Sequence, residues 1–358
     1  MNNNIYISNR LQEWYHAHKR ELPWRGSTNP YEIWVSEVIL QQTRVEQGWA
    51  YFIRFMERFP DVASLAAADE REVLKLWQGL GYYSRARNMH QAANQVMEHF
   101  NGEFPKTYHD LLKLRGVGDY TASAVASIAG NLPHATVDGN VYRVLSRAFE
   151  IETPIDTAAG KKEFATLANQ LLDIHNPSDH NQAMMELGAL ICTPKLAKCH
   201  ECPLQLFCAA FKNKTVYDFP KKKNKIIQQK RYLNYFHIIH HNAVYIQKRT
   251  RADIWKNLYE FPLIETNDAV DPGELMDHPK FKKMFSFAET IVLKHVKQVK
   301  HILTHQLLFV NFYTIDLPRE TAFNIGDNYL KIKMSEFDNY PVSGLIEKYM
   351  SIFSLKEL

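Results

Sequence analysis

The sequence predicts two domains of different class. A mainly α part spans residues 1–211, an α+β part spans 231–358, and a basic linker at 212–230 joins them. Three observations carry this. Residues 106–143 read as a helix, a tight glycine turn, a second helix and a loop bearing one isolated carboxylate, Asp138. All the cysteines of the chain fall within residues 192–208. After residue 231 the pattern turns β-rich, at 235–239, 243–247 and 306–315.

Composition sets the bounds. A chain of 358 residues fits two domains of ordinary size, and 46% hydrophobic content allows full cores. A net charge of +4 permits nucleic acid as a partner without demanding it. No apolar run reaches the ~18 residues of a membrane span. The start, MNNNIYISNRLQEWYHAHKR, lacks the apolar segment and small-residue cleavage site of a secretory signal. The expectation is a cytoplasmic protein with no membrane partner. Crowded cysteines in that compartment point to metal rather than to disulfides.

Residues 5–25 read as an amphipathic helix ended by Pro23, with Trp24 in the core and Arg25 following. Asn29-Pro30 starts the next helix, in which Ile33, Trp34, Val38 and Leu40 are core-type residues. Glu37 interrupts that apolar run. A carboxylate there is paired, solvated by a cavity, functional, or turned outward to solvent. Desolvation raises a carboxyl pKa, which suits a general acid near neutral pH. Helices continue through 46–100, broken by Gly79 and Gly81. Leu80 and Tyr82 at that turn read either as core residues or as an aromatic wedge beside Arg85 and Arg87.

In 106–143, Leu111, Leu112 and Leu114 give the first helix an apolar side. Gly116-Val117-Gly118 stops it, because glycine reaches backbone angles closed to other residues. Such a turn offers backbone N–H groups to a phosphate, or is an ordinary packing unit. Residues 161–191 read as helical and include Gln182. Cys192, Cys199, Cys202 and Cys208 follow as C-x6-C-x2-C-x5-C, a set able to close round one metal centre. Zinc and iron–sulfur both suit thiolates, although only Cys199 and Cys202 show the paired spacing usual in zinc ribbons. Lys195 and Lys198 lie inside this loop. Residues 212–231 carry Lys212, Lys214, Lys221, Lys222, Lys223, Lys225, Lys230 and Arg231 against a single acid, Asp218, and read as a solvated linker. Asp271-Pro272-Gly273 begins a C-terminal helix.

Leu114-Arg115-Gly116-Val117-Gly118-Asp119-Tyr120-Thr121-Ala122 resembles the helix–hairpin–helix of the DNA glycosylase superfamily that includes endonuclease III. Asp138 falls where that superfamily keeps its catalytic aspartate. Arg115 replaces the usual proline. Leu22-Pro23-Trp24-Arg25 and the run from Asn29 to Arg44 resemble MutY-type adenine glycosylases. The resemblance implies a helix–hairpin–helix glycosylase of two helical subdomains, one holding a 4Fe–4S loop on the four cysteines, plus a Nudix-like α+β C-terminal domain. It implies Glu37 as catalytic acid, Asp138 as anion, Asn140 orienting it, and Tyr120 hydrogen-bonded near Asp138. Arg25 and Gln182 lie by the adenine, and Gln42 and Thr43 lie by the DNA around the lesion pair. Leu80 and Tyr82 sit at the wedge beside 8-oxoguanine, and Gly116 and Gly118 face the backbone.

Bifunctional relatives place a lysine at position 120, which attacks the sugar as a Schiff-base nucleophile. Tyr120 implies a monofunctional enzyme instead of an endonuclease III-like glycosylase/lyase. Relatives carry Phe-Ser-His where this chain has Leu303-Thr304-His305, a segment used to recognise 8-oxoguanine. No adjacent carboxylates occur in 231–358, so Nudix hydrolysis is not expected. The implied activity is removal of adenine from A:8-oxoguanine and A:G pairs in double-stranded DNA, by a monomer associated with the nucleoid. A non-catalytic DNA-binding protein stapled by metal is the other class, separated by whether base is released.

Overall fold

The computed structural model describes residues 3–224, 227–286, 291–318, 323 and 325–354. Its helices are α1 (Asn3–His18), α2 (Pro30–Leu40), α3 (Val45–Arg58), α4 (Val62–Ala66), α5 (Glu70–Leu76), α6 (Ser84–His99), α7 (Tyr108–Leu111), α8 (Asp119–Gly130), α9 (Gly139–Phe149), α10 (Ala158–Leu171), α11 (Pro177–Leu190), α12 (Ala209–Lys212), α13 (Pro272–Asp277), α14 (Pro279–Met284) and α15 (Gly344–Ser354). Its strands are β1 (Gln229–His240), β2 (Ala243–Lys248), β3 (Tyr259–Glu260), β4 (Leu263–Thr266), β5 (Lys294–Ile302), β6 (Gln306–Asp316) and β7 (Leu330–Lys333). Among the described residues no helix is long and apolar enough to cross a membrane.

The chain forms two compact units, Met1–Ala68 with Asn88–Lys225, and Asp69–Arg87 with Ile226–Leu358. The first unit is helical. Helix α11 packs on α1, α8 and α9, and α2 packs on α3 and α8. Leu11, Tyr15, Val141, Leu145, Phe164, Ala183 and Leu187 form one core. One start signal read from the sequence operates here: the Asn29 side chain accepts from Tyr31 N ahead of Pro30. Asp138, read from the sequence as a loop carboxylate, caps α9. Helix α1 closes at His18, before Pro23, so the proline does not end it. The expected helix over 161–191 is two helices, broken before Pro177.

The linker is not a free tether. Ile155 N donates to Lys221 O (3.1 Å), and the Asp156 carboxylate takes Lys223 N and Asn224 N (2.9 Å each). Lys225 lies outside the described residues. Arg231 belongs to β1, where it pairs with Glu265 and Asp253 (2.6 and 2.8 Å) instead of meeting solvent.

The second unit is a mixed sheet in the order β3-β2-β1-β6-β5, with β4 on β1 and β7 on β2. Strands β1 and β6 run parallel, and the other pairs are antiparallel. One sheet face packs on Leu345, Ile346 and Tyr349 of α15, the other on Leu275 of α13 and Phe281 and Met284 of α14. Residues 69–87, read from the sequence as part of the helical domain, belong to this unit. Tyr83 Oη donates to Val342 O (3.2 Å), Val342 N to Gln78 Oε1 (3.1 Å), and Arg87 Nη1 to Lys256 O (2.8 Å).

Candidate active site

Glu37 sits where α2 faces the interior and is only 7% exposed. Tyr120, in the first turn of α8, donates its hydroxyl to Glu37 Oε2 and lies 3.5 Å from Met185 Sδ. The sequence reading set this hydrogen bond near Asp138; its partner is Glu37, and the Asp138 charge also acts on the phenol. The phenol takes the carboxyl within reach of its own helix, which packs directly on α2. Burial pushes the Glu37 carboxyl from its ordinary 4.5 up to about 7, the Asp138 charge adds to this, and the Tyr120 bond opposes it.

Asp138 is held differently. Its carboxylate accepts from Val141 N (2.7 Å) and from Asn140 Nδ2 (2.8 Å) at the N-terminus of α9. Burial raises this carboxyl too, while those donors and the Arg143 charge pull it back. Arg143 Nη2 donates to Asn140 Oδ1 (2.8 Å) and Gly188 O (2.7 Å), and its Nε to Cys192 O (2.6 Å). Glycine is required at 188, because a Cβ there would stand 2.5 Å from Asn140 Cβ.

Both carboxyl groups line one cavity of about 1140 Å³. Arg25, Gln42, Thr43, Tyr120, Asn140 and Gln182 line it as well, so most of the sequence-selected residues of the first unit converge. The sequence reading missed Glu186, Arg20 and Arg143, and it missed Tyr217, Phe219, Pro220 and Lys222 of the linker, which also form cavity wall. The one signal for Glu186 was its place four residues after Gln182, on the same side of α11.

The remaining candidates lie elsewhere. Gly116 takes a positive φ of 79°, and a Cβ would meet Asn88 Cβ at 2.6 Å. Gly118 is extended and has open space before it, so only the first glycine is needed for its backbone angle. The first helix of the hairpin is a single turn, and Leu112 is exposed. In the second unit Leu80 is buried, whereas Tyr82 is 49% exposed at a φ of 48°. Tyr82 Oη and Thr304 Oγ1 are 2.7 Å apart. Leu303 packs against the core beneath the β5–β6 turn, and His305 is exposed. Arg85 is buried with its guanidinium over Trp77 and Tyr82, and is not a solvated surface charge.

The four cysteines are free thiols lining one void with Ile191, Phe211, Val216 and Arg147. Burial raises the thiols of Cys199 and Cys208, and pushes Cys202 up to about 12. Four converging sulfurs in an apolar wall suit a thiolate-ligated cationic group, which removes the cost of burying their charge. Arg147 Nη1 reaches Cys192 Sγ (3.4 Å) and Thr193 O (2.8 Å). Among the described residues no three His, Cys, Asp or Glu are gathered closely enough for a single ion. Four thiols round one void are a donor set that either a zinc ion or an iron–sulfur cluster takes.

Comparisons with known proteins match the two parts of the chain separately, and the first match runs through residues 69–87. Residues 35–170 match the family model of the HhH-GPD superfamily base excision DNA repair proteins, and residues 234–351 match that of the NUDIX domain. An adenine DNA glycosylase of Buchnera aphidicola subsp. Schizaphis graminum is 38% identical over 291 residues, 79% of this chain and 83% of the relative. The adenine DNA glycosylase of Mus musculus is 31% identical, over 96% of this chain and 77% of the relative. Among solved structures, a thermostable thymine-DNA glycosylase superposes with a TM-score of 0.55 at 25% identity, over 59% of this chain and 97% of that one. The chain belongs to the MutY-type adenine DNA glycosylases, a family of base-excision DNA repair enzymes.

Proposed function

We propose that this enzyme removes adenine paired with 8-oxoguanine, and with guanine, by hydrolysing the N-glycosidic bond without cutting the strand. One observation carries the reading: a single cavity holds two carboxyl groups with different partners, a phenol on Glu37 and backbone and amide N–H groups on Asp138. Glu37 is half-protonated near neutral pH and protonates N7 of the extruded adenine, making it a better leaving group. Asp138, held as an anion by backbone and amide N–H groups, stabilises the oxocarbenium-like sugar or traps it briefly. Water then adds at the sugar carbon and gives its proton to the carboxylate. Tyr120 holds Glu37 and offers no amine for a Schiff base. Adenine leaves the stack to reach this chemistry, and the cavity has room for a purine nucleoside.

Arg25 and Gln182 contact the base in this reading, and Gln42 and Thr43 contact the DNA around the pair. The Gly116–Gly118 turn takes a phosphate. Leu80 supports Tyr82, which wedges beside 8-oxoguanine, while Thr304 and His305 read it. Thr304 keeps a hydroxyl donor, and Leu303, packed inward, does not stack. The four cysteines would hold one 4Fe–4S cluster, which would cross-link their thiolates. Residues 1–211 are the catalytic domain and 231–358 the recognition domain of a monomer acting on nucleoid DNA in the cytoplasm.

Base release from A:8-oxoguanine, A:G, A:C and A:T duplexes tests the reading. The expected order is A:8-oxoguanine fastest and A:T undetectable. Equal release from all four, or good yields of a borohydride-trapped protein–DNA adduct, would overturn it. Iron and acid-labile sulfide at about four each per chain are expected, and stoichiometric zinc in an anaerobic preparation contradicts the cluster.

A further inference from the structure

Two arginines converge on one buried carboxylate in the α11 wall of the catalytic cavity. Glu186 is 2% exposed. Arg20 donates to it three times, from its backbone N and Nε to Oε1 (2.9 Å each) and from Nη2 to Oε2 (2.8 Å). Arg25 adds a second fork, Nη1 to Oε1 and Nη2 to Oε2, both 3.1 Å. Its Nη1 also reaches Arg20 O (2.6 Å). The two cations hold the Glu186 carboxyl down at about 2, so the clamp stays charged wherever the enzyme works.

This arrangement uses both terminal nitrogens of Arg25 and lays its guanidinium over the Tyr15 ring at 5.4 Å. Of the five guanidinium N–H groups two are left over, one on Nη2 and the Nε–H. Among the described residues, Arg25 Nε is buried without a hydrogen-bond partner. A buried N–H without an acceptor is costly, and Arg25, Arg20 and Glu186 all line the cavity that holds Glu37 and Asp138. A long arginine left to itself would turn toward the nearest phosphate or water. Held by a shared carboxylate, it cannot.

We propose that Glu186 is a positioning residue: by gripping Arg20 and Arg25 together, it fixes the Arg25 guanidinium on the cavity wall so that its unused terminal N–H meets a hydrogen-bond acceptor of the extruded base. The inference rests on the adenine-release reading above and adds the residue that makes the base pocket rigid. Glu186 acts through Arg25 and does not touch the base. Arg20 belongs to the same device, because it supplies the second anchor for the carboxylate.

The test compares two duplexes with 8-oxoguanine in the opposite strand. One carries non-cleavable 2′-fluoro-2′-deoxyadenosine, the other a tetrahydrofuran abasic residue with the same backbone and no base. In Glu186→Gln, affinity for the fluoroadenosine duplex is expected to fall about tenfold or more, while the abasic duplex binds within about twofold of wild type. Glu186→Asp should recover part of the loss, and Arg20→Gln should show a smaller one with the same selectivity. Equal weakening toward both duplexes in all three variants would make Glu186 merely structural, and unchanged binding of both would remove it from the pocket. Arg20→Gln alone decides the matter if Glu186→Gln does not fold. Adenine release by the wild type keeps the two questions apart. If wild type releases no adenine, the reading fails; if it does and the variants bind like wild type, only the clamp fails.

Discussion

The α2 wall and the α11 wall of one cavity each bury a glutamate, and the two end in opposite states. Glu37 is bonded by a tyrosine hydroxyl, and its carboxyl rises to about 7. Glu186 has two guanidinium forks and falls to about 2. Burial alone therefore does not decide what a buried acid does. The partner does: an uncharged donor leaves an acid able to give up a proton near neutrality, and paired cations make a fixed strut. A third buried glutamate, Glu260 in the sheet unit, meets Arg249 at 2.6 Å and takes bonds from Tyr235 and Gln247. Its single guanidinium pulls against burial without overcoming it, and the Glu260 carboxyl stays raised, so one cation does less than the two that grip Glu186.

The largest effects should come from the α2 side. Glu37→Gln should keep DNA binding and lose roughly 10²–10⁴-fold in single-turnover adenine release, the range of a lost general acid. Asp138→Asn should lose on the order of 10²-fold or more by removing the anion facing the sugar. Near-normal turnover in either purified variant would strike that residue from the chemistry.

Stability should expose the same contrast. A folded-state pKa raised from 4.5 to about 7 means that the Glu37 contribution is fully present below the unfolded value. It is lost as pH rises through the folded value, to a total on the order of 3 kcal/mol. Glu37→Gln, which carries no charge at any pH, should therefore gain on wild type as pH rises from about 5 to about 8, read by denaturant unfolding. In the sheet unit, Arg249→Met should cost about 3–5 kcal/mol by stranding Glu260, and an undetectable change there would show that the pair is already open to water. The smallest expected effect lies at the β5–β6 turn. Thr304→Val should reduce the preference for 8-oxoguanine over guanine by a factor of roughly 2–10, the worth of one hydroxyl at a partly exposed site. An unaltered preference would show that the Tyr82–Thr304 contact does no reading.

Much of this was legible in the sequence, and the gaps have physical causes. The change from helical to alternating pattern near residue 231 marks the start of the sheet, because hydrophobic periodicity reports secondary structure directly. Glu37 stood out as a charge in an apolar run, and four cysteines in one loop announced a metal-type site. Asn29 capped the helix it precedes, whereas the cap that Asp138 makes on α9 was not read. What the sequence could not show depends on distant partners. Glu186 is one polar residue on a helix until Arg20 and Arg25, more than a hundred and fifty positions away, close on it. The Tyr120 partner depended on how α2 and α8 pack. Residues 69–87 have helical pattern in common with their neighbours, and nothing local reveals that Tyr83 and Gln78 bond to Val342. Pro23 was a sound stop signal, but α1 had already closed at His18.

The claim that Glu37 works as a neutral acid tuned by its own partners is tested most directly by the pH–rate profile of single-turnover adenine release, in wild type and in Tyr120→Phe. The Tyr120 bond pulls the Glu37 pKa down, so its removal should raise it. The expected result is a wild-type rate that falls as pH rises through about 7, and a falling limb that moves to higher pH in the variant. A wild-type rate that stays flat across that range, or a limb that does not move, would contradict it.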